Sequence, residues 1–570
     1  MREREFSTAY YSLPIGLLAM LAGFGTTPQN PLLHYIRTQL LDRTFTMGPA
    51  NLPLYQANGF DMALLIPYFL VLAILAFYGF HRYSLVFLYY RHRKRRTEEP
   101  AARFTDLPVI TVQLPIYNEQ FVVERLVESI CKLDYPRDRL EIQLLDDSTD
   151  ETREVARAVA ERFAAQGEPI VYLHRTNRHG FKAGALDAGM QVARGELIAI
   201  FDADFVPPAD FLRRTVDYFT DPKLAMVQTR WGYINRDYSW LTKVEAILLD
   251  GHFVMEHGGR HRADLFFNFN GTAGMWRRKA IDEAGGWEHD TLTEDTDLSY
   301  RAQLCGWKFI YLPQVECPSE LPVDMNAFKV QQARWAKGLI QVSKKILPRL
   351  FRRKDIDLHH KVEAWCHLTA NISYPLMIVL CTLLLPAMIV RFYQGWFQML
   401  YIDLPLFIAS TCSISSFYVA SQRELYPRKW FSTLLYMPMV MAIGIGLTVT
   451  NSRAVLEALL GIKTAFKRTP KFRIETKADG QMNLAKKKYK RKVGWSPVIE
   501  LTLGAIFTAV TVYAWQMENY LTIPFLLLFV VGYFTTGFLS IFQGRFSRRR
   551  KPPLAIEAPV TVEETRAASL

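Results

Sequence analysis

The chain has 570 residues, enough for two or three domains with sizeable cores. Half of them are hydrophobic and 13% aromatic, too apolar for an ordinary soluble protein and too polar for a pure bundle of membrane helices. The formal charge of +13 gathers in short runs beside apolar segments, Arg91 to Arg96 and Arg548 to Lys551, which suits positive-inside topology and anionic membrane lipids. With no recognition helix or stacking module beside the charge, nucleic acid is excluded as a partner.

In chain order, residues 1–90 read as an N-terminal transmembrane region. The stretch Tyr11 to Gly25, broken by Pro14, is expected to be a short first span, and 61–90 a full one. Residues 91–320 have ordinary globular composition, and the arginine run at their start sets them on the cytosolic side. Within them Pro108 to Ile116 predicts a buried strand, and Val122, Val123, Leu126 and Ile130 a helix from about Glu119. Leu140 to Leu145 is the next strand, ending in Asp146-Asp147-Ser148. After an Ala- and Glu-rich helix come a strand at Ile170 to Leu173, another helix, and a strand Leu197 to Phe201 ending in Asp202-Ala203-Asp204. This alternation predicts an α/β, Rossmann-like domain with a mostly parallel sheet, whose ligands sit at the carboxyl ends of the strands.

Residues 321–370 read as interfacial amphipathic helices, with Phe328, Trp335, Leu339, Ile346 and Leu350 interleaved with Lys337, Lys344 and Lys345. Residues 371–452 hold apolar segments at 372–391, 400–421 and 431–450. Residues 453–496 are a basic, cytosolic stretch that includes Lys486, Lys487, Lys488, Lys490, Arg491 and Lys492. Three crossings before that stretch would put it on the wrong side. One segment is therefore expected to lie along the interface or re-enter, and 431–450, broken by Pro438, Gly444 and Gly446, is the candidate. Spans at 497–517 and 521–543 close the membrane part (497–545), and 546–570 is expected to be a disordered tail. Six cysteines with no paired spacing fit neither a zinc site nor a disulfide framework.

Four constellations carry chemistry. Asp202 and Asp204, one residue apart on a strand-ending turn, can grip a hard divalent cation that bridges phosphate oxygens, although such a pair can equally be a polar turn. Asp146-Asp147 ends a strand in the same way, and strand-end aspartates often only cap the next helix. Thr293-Glu294-Asp295-Thr296-Asp297 precedes a helix expected from near Leu298 and suits helix N-terminal capping. In Gln331-Gln332-Ala333-Arg334-Trp335, an arginine able to fork onto a diphosphate neighbours a tryptophan whose face can stack on a sugar.

The four in this order resemble the family 2 processive glycosyltransferases: bacterial cellulose synthases, plant cellulose-synthase-like mannan synthases, and hyaluronan and chitin synthases. Pro115 to Glu119 (PIYNE), His179 to Leu186 (HGFKAGAL) and Phe269 to Gly274 (FNGTAG) add to the resemblance. Phe466-Lys467-Arg468-Thr469-Pro470-Lys471 is similar to the cellulose synthase gating loop at Phe466, Thr469 and Lys471, with Arg468 in place of a valine. The resemblance implies a GT-A-type catalytic domain inserted in an α-helical transmembrane bundle. It implies that Asp146 and Lys182 contact the nucleotide sugar, and that Asp202 and Asp204 position its diphosphate with Mg²⁺ or Mn²⁺. Asp295 would be the general base and Gln331 and Arg334 diphosphate ligands, with Trp335, Glu294, Gly271 and Thr272 on the acceptor side. The implied activity is inverting transfer of a hexose, from GDP-mannose or UDP-glucose, to a growing β-linked polysaccharide with translocation. The alternative is one sugar added to a lipid, as in ceramide glucosyltransferase. Ser319-Glu320-Leu321-Pro322 reads closest to the plant mannan synthases. The compact domain and short loops lean towards a bacterial inner membrane. No cyclic-di-GMP-binding domain fits in 546–570, so direct control by that nucleotide is not expected.

Overall fold

A computed structural model describes residues 59–95, 99–100, 102–392, 396–464, 466, 468–475, 479 and 494–549. The expected span at Tyr11 to Gly25, the lysine run 486–492 and the tail beyond 549 lie outside the described residues.

Among the described residues seven strands form one sheet: β1 Ile110–Ile116, β2 Leu140–Asp146, β3 Ile170–His174, β4 Leu197–Ile200, β5 Leu224–Tyr233, β6 Gly274–Arg277 and β7 Lys308–Ser319. Their order is β3-β2-β1-β4-β6-β5-β7. The first four are parallel, as the β-α-β alternation predicts. β6 departs from that pattern. It runs antiparallel to both β4 and β5, because the chain re-enters the sheet along the edge of β4, with Ile200 opposite Gly274.

Every residue of β1 and β2 is buried, so both sheet faces are covered and the strands read as continuous apolar runs rather than alternating ones. One face packs against the helix Val123–Ile130 through Leu126, Val127 and Ile130. The other packs against the helices Phe181–Val192 and Glu294–Leu304 through Leu186, Met190 and Leu298. The neighbours of β1 lead away in opposite directions along the sheet, to β2 on one side and β4 on the other. A crevice therefore opens where the carboxyl ends of β1, β2 and β4 meet.

Among the described residues four helices are long and apolar enough to cross a membrane: Gly59–Arg91, Leu358–Val390, Ser496–Gln516 and Tyr520–Gln543. The expected 400–421 segment falls in the 30-residue helix Trp396–Leu425. The expected 431–450 segment is a pair, Trp430–Gly446 and Thr448–Leu459, bent by 43°. The amphipathic part at 358–369 runs through one turn of tighter helix straight into the following apolar helix, so the boundary expected at 370 is no break in the chain's course. At the C-terminal end the last helix continues to Arg549, past the start of the expected tail.

The helix Met325–Arg352 ties the sheet domain to these helices. Its Asp324 cap accepts from Ala327 N at 2.9 Å. Lys329, almost fully buried, donates to both Glu500 oxygens at 2.7 and 2.5 Å and to Ser540 Oγ at 2.7 Å. Around it Met325 and Phe328 share one apolar core with Leu85, Tyr89, Val244, Phe417 and Val440.

Candidate active site

The crevice is a cleft whose floor comes from the strand ends and whose walls come from four later segments. From the strand ends it takes Tyr117 and Glu119 after β1, Asp147 after β2, and Asp202 and Asp204 after β4. Asn270 and Gly271 enter just before β6, and Thr293, Glu294 and Asp295 at the start of the helix Glu294–Leu304. Gln331, Arg334 and Trp335 come from the helix Met325–Arg352, and Phe466, Arg468, Thr469 and Lys471 from the loop after the bent pair. Most residues singled out in the sequence thus meet in one place.

Two do not line it. Asp146 is fully buried and is the last residue of β2. One oxygen accepts from Ser148 N at 2.8 Å and the other from the Tyr172 hydroxyl at 2.7 Å. Asp147 is the acid that faces the cleft, gripped by Arg175 through Nε at 2.8 Å and Nη2 at 2.5 Å. Thr272 is also buried. Its hydroxyl accepts from Asp202 N at 2.9 Å, so it fixes the backbone that carries Asp202 from behind.

The helix expected from Leu298 begins at Glu294, which puts Glu294, Asp295 and Asp297 in its first turn, where the helix dipole favours carboxylates. The helix Met325–Arg352 lies directly on this turn. A Cβ on Gly338 would collide with the Thr293 side chain, so only glycine allows that approach. Nearby, Gln341 accepts from Leu292 N at 2.9 Å, and Lys345 joins Glu288 at 2.5 Å, Asp290 at 2.9 Å and Asp297 at 3.0 Å. These contacts bring Gln331, Arg334 and Trp335 up to Asp295. They also mean that the carboxylate cluster Glu288, Asp290 and Asp297 already holds a cation, the Lys345 ammonium.

Charge is balanced at close quarters. Lys182 pairs with Asp202 and donates to the Gly271 carbonyl at 2.9 Å. Burial works against its ammonium, but Asp202, Glu294 and Asp295 outweigh it and raise its pKa. Burial raises Asp202 despite Lys182. Burial, with help from Glu294 and against Lys182, pushes Asp295 up to about 7. Glu119 is likewise pushed up to about 7 by burial, against the pull of Arg468. An acid near neutrality can take a proton at working pH, whereas an ordinary aspartate is too weak a base.

The backbone is strained around this cleft. Asn118, Phe181 and Ala273 have φ of 53°, 51° and 54°, a region that costs a non-glycine residue about 1 kcal/mol or more. They flank Glu119, Lys182 and Thr272 respectively. Sequence reasoning missed Arg178 and Trp231. The Arg178 guanidinium lies 3.3 Å from the centre of the Tyr117 ring, with Phe181 and Phe466 close by. Trp231 comes from the long β5–β7 pair, and nothing local marks it. Arg468, the departure from the gating-loop pattern, donates to the Tyr117 carbonyl at 3.1 Å and lies 3.5 Å from Glu119.

The donor set suits a divalent cation. Asp202 and Asp204 both face the cleft, and each already holds an ammonium, Lys182 on the first and Lys471 at 2.7 Å on the second. Two carboxylates converging on positive charge at strand ends are hard oxygen ligands of the kind Mg²⁺ or Mn²⁺ takes.

Residues 108–338 match the family described as Glycosyltransferase like family 2. Glucomannan 4-beta-mannosyltransferase 1 of Oryza sativa subsp. japonica is 43% identical over 270 residues, 46% of this chain and 52% of the relative. Glucomannan 4-beta-mannosyltransferase 9 of Arabidopsis thaliana is 44% identical over 260 residues, 45% of this chain and 49% of the relative. The chain spans about half the length of the curated relatives it matches. A solved mannosyltransferase from Pyrobaculum calidifontis, in complex with GDP-Man and Mn²⁺, aligns with 69% of this chain and all of its own at 21% identity and a TM-score of 0.48. The bacterial inner membrane expected from the sequence gains no support, since these two curated relatives are plant proteins.

Proposed function

We propose that this chain, which carries a family 2 glycosyltransferase domain of the cellulose-synthase-like mannan synthase type, transfers a hexose from a nucleotide sugar to a growing β-linked polysaccharide. The observation that carries the reading is Asp295. Its carboxyl, pushed up to about 7, stands in one cleft with the Asp202–Asp204 pair, Arg334 and Trp335.

In this reading the donor diphosphate lies along Lys182, Gln331 and Arg334, with Asp202 and Asp204 beneath it. Mg²⁺ or Mn²⁺ held by Asp202 and Asp204 would neutralise charge on the departing diphosphate. Trp335 presents a flat face to the terminal acceptor sugar, and Glu294 and the Gly271–Thr272 turn border the same end. Asp295 accepts the proton of the acceptor hydroxyl as that oxygen attacks the anomeric carbon. The bond from that carbon to the phosphate oxygen breaks, and the nucleoside diphosphate leaves with the electron pair. A single displacement inverts the centre, so an α-linked donor yields a β-linkage. A positioned base contributes about 10²–10⁴-fold. GDP-mannose is the favoured donor, on the likeness to glucomannan mannosyltransferases, with UDP-glucose the other donor to test.

The rest of the proposal concerns the setting. The apolar helices anchor the domain on the cytosolic face of a membrane and pass the product across it. The loop carrying Phe466, Thr469 and Lys471 acts as a gate over the donor. Phe466 supports this role, since its ring lies 4.6 Å from the Arg334 guanidinium and 6.0 Å from the Phe181 ring.

The test uses the purified full chain with GDP-mannose and UDP-glucose, Mg²⁺ or Mn²⁺, and labelled sugar. Asp295→Asn should lose incorporation about 10²-fold or more while still binding GDP or UDP. Near-normal turnover in that variant would remove Asp295 as the base. A lipid-extractable product bearing one sugar would replace the polymer reading.

A further inference from the structure

The helix Trp240–Gly251 runs into a wide turn of π-helix, His252–His257, whose i→i+5 bonding lets residues five apart share a face. In an α-helix they would stand about 140° apart around the axis. Here the His252 and His257 rings meet, 4.4 Å between centres, and both reach the side chain of Asn270. Asn270 lines the cleft one residue before Gly271, which packs against Asp295. Its backbone is fixed too, since Asn270 N donates to Gln228 Oε1 at 2.9 Å.

These partners set which way the Asn270 amide points. Asn268 Nδ2 is oriented by the Phe269 carbonyl, to which it donates at 2.9 Å, and it also donates to Asn270 Oδ1 at 3.2 Å. His252 Nδ1 lies 2.9 Å from Glu256 Oε2 and Nε2 lies 3.0 Å from Asn270 Oδ1, so both ring nitrogens face acceptors and donate. Glu256 is anchored in turn, its other oxygen 3.7 Å from Arg260 Nε and 3.8 Å from His367 Nε2. With Oδ1 engaged twice, the Asn270 nitrogen is what remains for the cleft. Nδ2 carries two hydrogens and lies 2.9 Å from His257 Nε2, and that same ring nitrogen is 2.9 Å from the Asn268 carbonyl oxygen. His257 Nε2 either accepts from Asn270 or donates to Asn268, so at least one Asn270 amide hydrogen has no acceptor among the described residues.

We propose that this N–H holds a hydroxyl oxygen of the terminal acceptor sugar, beside the hydroxyl that Asp295 deprotonates, and that His252, oriented by Glu256, is the residue that positions it. Asn270 adjoins the glycine on which Asp295 packs, so its amide stands at the end of the cleft where the acceptor must present its nucleophile. An amide already fixed by two histidines gives up little freedom when the sugar arrives, and its hydrogen bond keeps more of its strength. The inference rests on the proposed transfer reaction with Asp295 as its base.

The test follows labelled sugar from GDP-mannose or UDP-glucose, on the full chain in detergent at saturating donor, into polymer and into free sugar released to water. Both products need the donor, the leaving group and the base, whereas only polymer needs the acceptor sugar held. Asn270→Ala should lower the ratio of polymer to free sugar about tenfold, the contribution of one hydrogen bond, and bind GDP or UDP as the parent does. His252→Asn keeps a donor for Glu256 but is too short for Asn270, and should lower the ratio about threefold or more. His252→Gln, whose amide still reaches Asn270 Oδ1, should keep the parent ratio. An unchanged ratio in Asn270→Ala would overturn the contact, and a raised KM for the nucleotide sugar there would assign the amide to the donor instead. A parent ratio in His252→Asn, or an equal loss in His252→Gln, would overturn the positioning role. A parent protein that makes no polymer from either donor would remove the proposed function, and this inference with it.

Discussion

Gly271→Ala perturbs the proposed base without altering its chemistry. Gly271 has φ of +81°, and a Cβ built there would sit 2.9 Å from Asp295 Oδ2 and 3.4 Å from Lys182 Nζ. To restore ordinary contact the Asp295 carboxylate must yield by about 0.5 Å. A misplacement of 1 Å costs about 10²-fold in rate, so half of that costs about tenfold. The left-handed backbone adds about 1 kcal/mol of strain to the folded state. Gly306 separates the two effects, since it has φ of +91° and nothing within 4 Å of a built Cβ. Gly306→Ala should carry the same strain, seen as a similar loss in thermal stability, and keep its turnover. Initial rates of labelled-sugar incorporation over a range of donor concentrations would show kcat down about tenfold in Gly271→Ala and KM for the donor little changed. Equal kcat in the two alanine variants would refute the placement of Asp295 against Gly271 as a catalytic constraint.

The pH profile tests the electrostatics of the same group. Asp295 must be ionised to accept a proton, and its pKa is raised to about 7, so kcat/KM should fall as pH drops through about 7. Glu294 is the largest raising influence after burial, so Glu294→Gln should move that acid limb to lower pH, and an unmoved limb would count against the assignment. At the membrane side, Lys329→Met leaves Glu500 buried without its cation and should cost about 3–5 kcal/mol. Thermal melting in detergent should show much of that loss recovered in Lys329→Met/Glu500→Gln, and no recovery would mean that the pair does not account for the loss.

The strands of the catalytic domain were legible because a buried parallel sheet writes itself as short apolar runs, and the acidic pairs that end them were legible as interruptions. What such a run leaves open is where the last pleat falls. The run Leu140 to Leu145 fits a strand ending before or after Asp146. The strand in fact extends through Asp146, which turns that carboxylate onto Tyr172 and leaves Asp147 to face the cleft. The helix at Glu294 carried its own signal, three carboxylates in four positions after Thr293, and apolar periodicity alone set the start too late. β6 carried none. Its antiparallel place between β4 and β5 depends on pairings far apart in sequence, as do Trp231 in the cleft and the reach of Lys471 to Asp204.

The count of membrane crossings follows from the cleft more firmly than from hydropathy. Phe466, Arg468, Thr469 and Lys471 line the same cleft as Asp202 and Asp204, so they lie on the same side of any membrane the helices cross. Between the helix Met325–Arg352 and Phe466 the chain must therefore cross an even number of times. Among the described residues three apolar elements lie in that interval: Leu358–Val390, Trp396–Leu425 and the bent pair Trp430–Gly446 with Thr448–Leu459. Two full crossings and one element that does not complete one meet the requirement; among the described residues Leu358–Val390 has the length and hydropathy of a span, the bent pair those of a broken span or a re-entrant loop, and Trp396–Leu425 falls short. At the break of the bent pair, Gly446 lies so close to the helix Ile523–Arg549 that a Cβ there would strike Thr536. That contact lets two helix backbones approach as small residues do in membrane bundles and fixes the bend by packing. The second half of the pair then leads back to the helix Met325–Arg352, where Ala336 and Ile340 pack against Val455 and Ala458 and Lys337 meets Glu457 at 2.8 Å. The bent pair thus ends on the helix that carries Arg334 and Trp335, and so delivers Phe466 to the cleft.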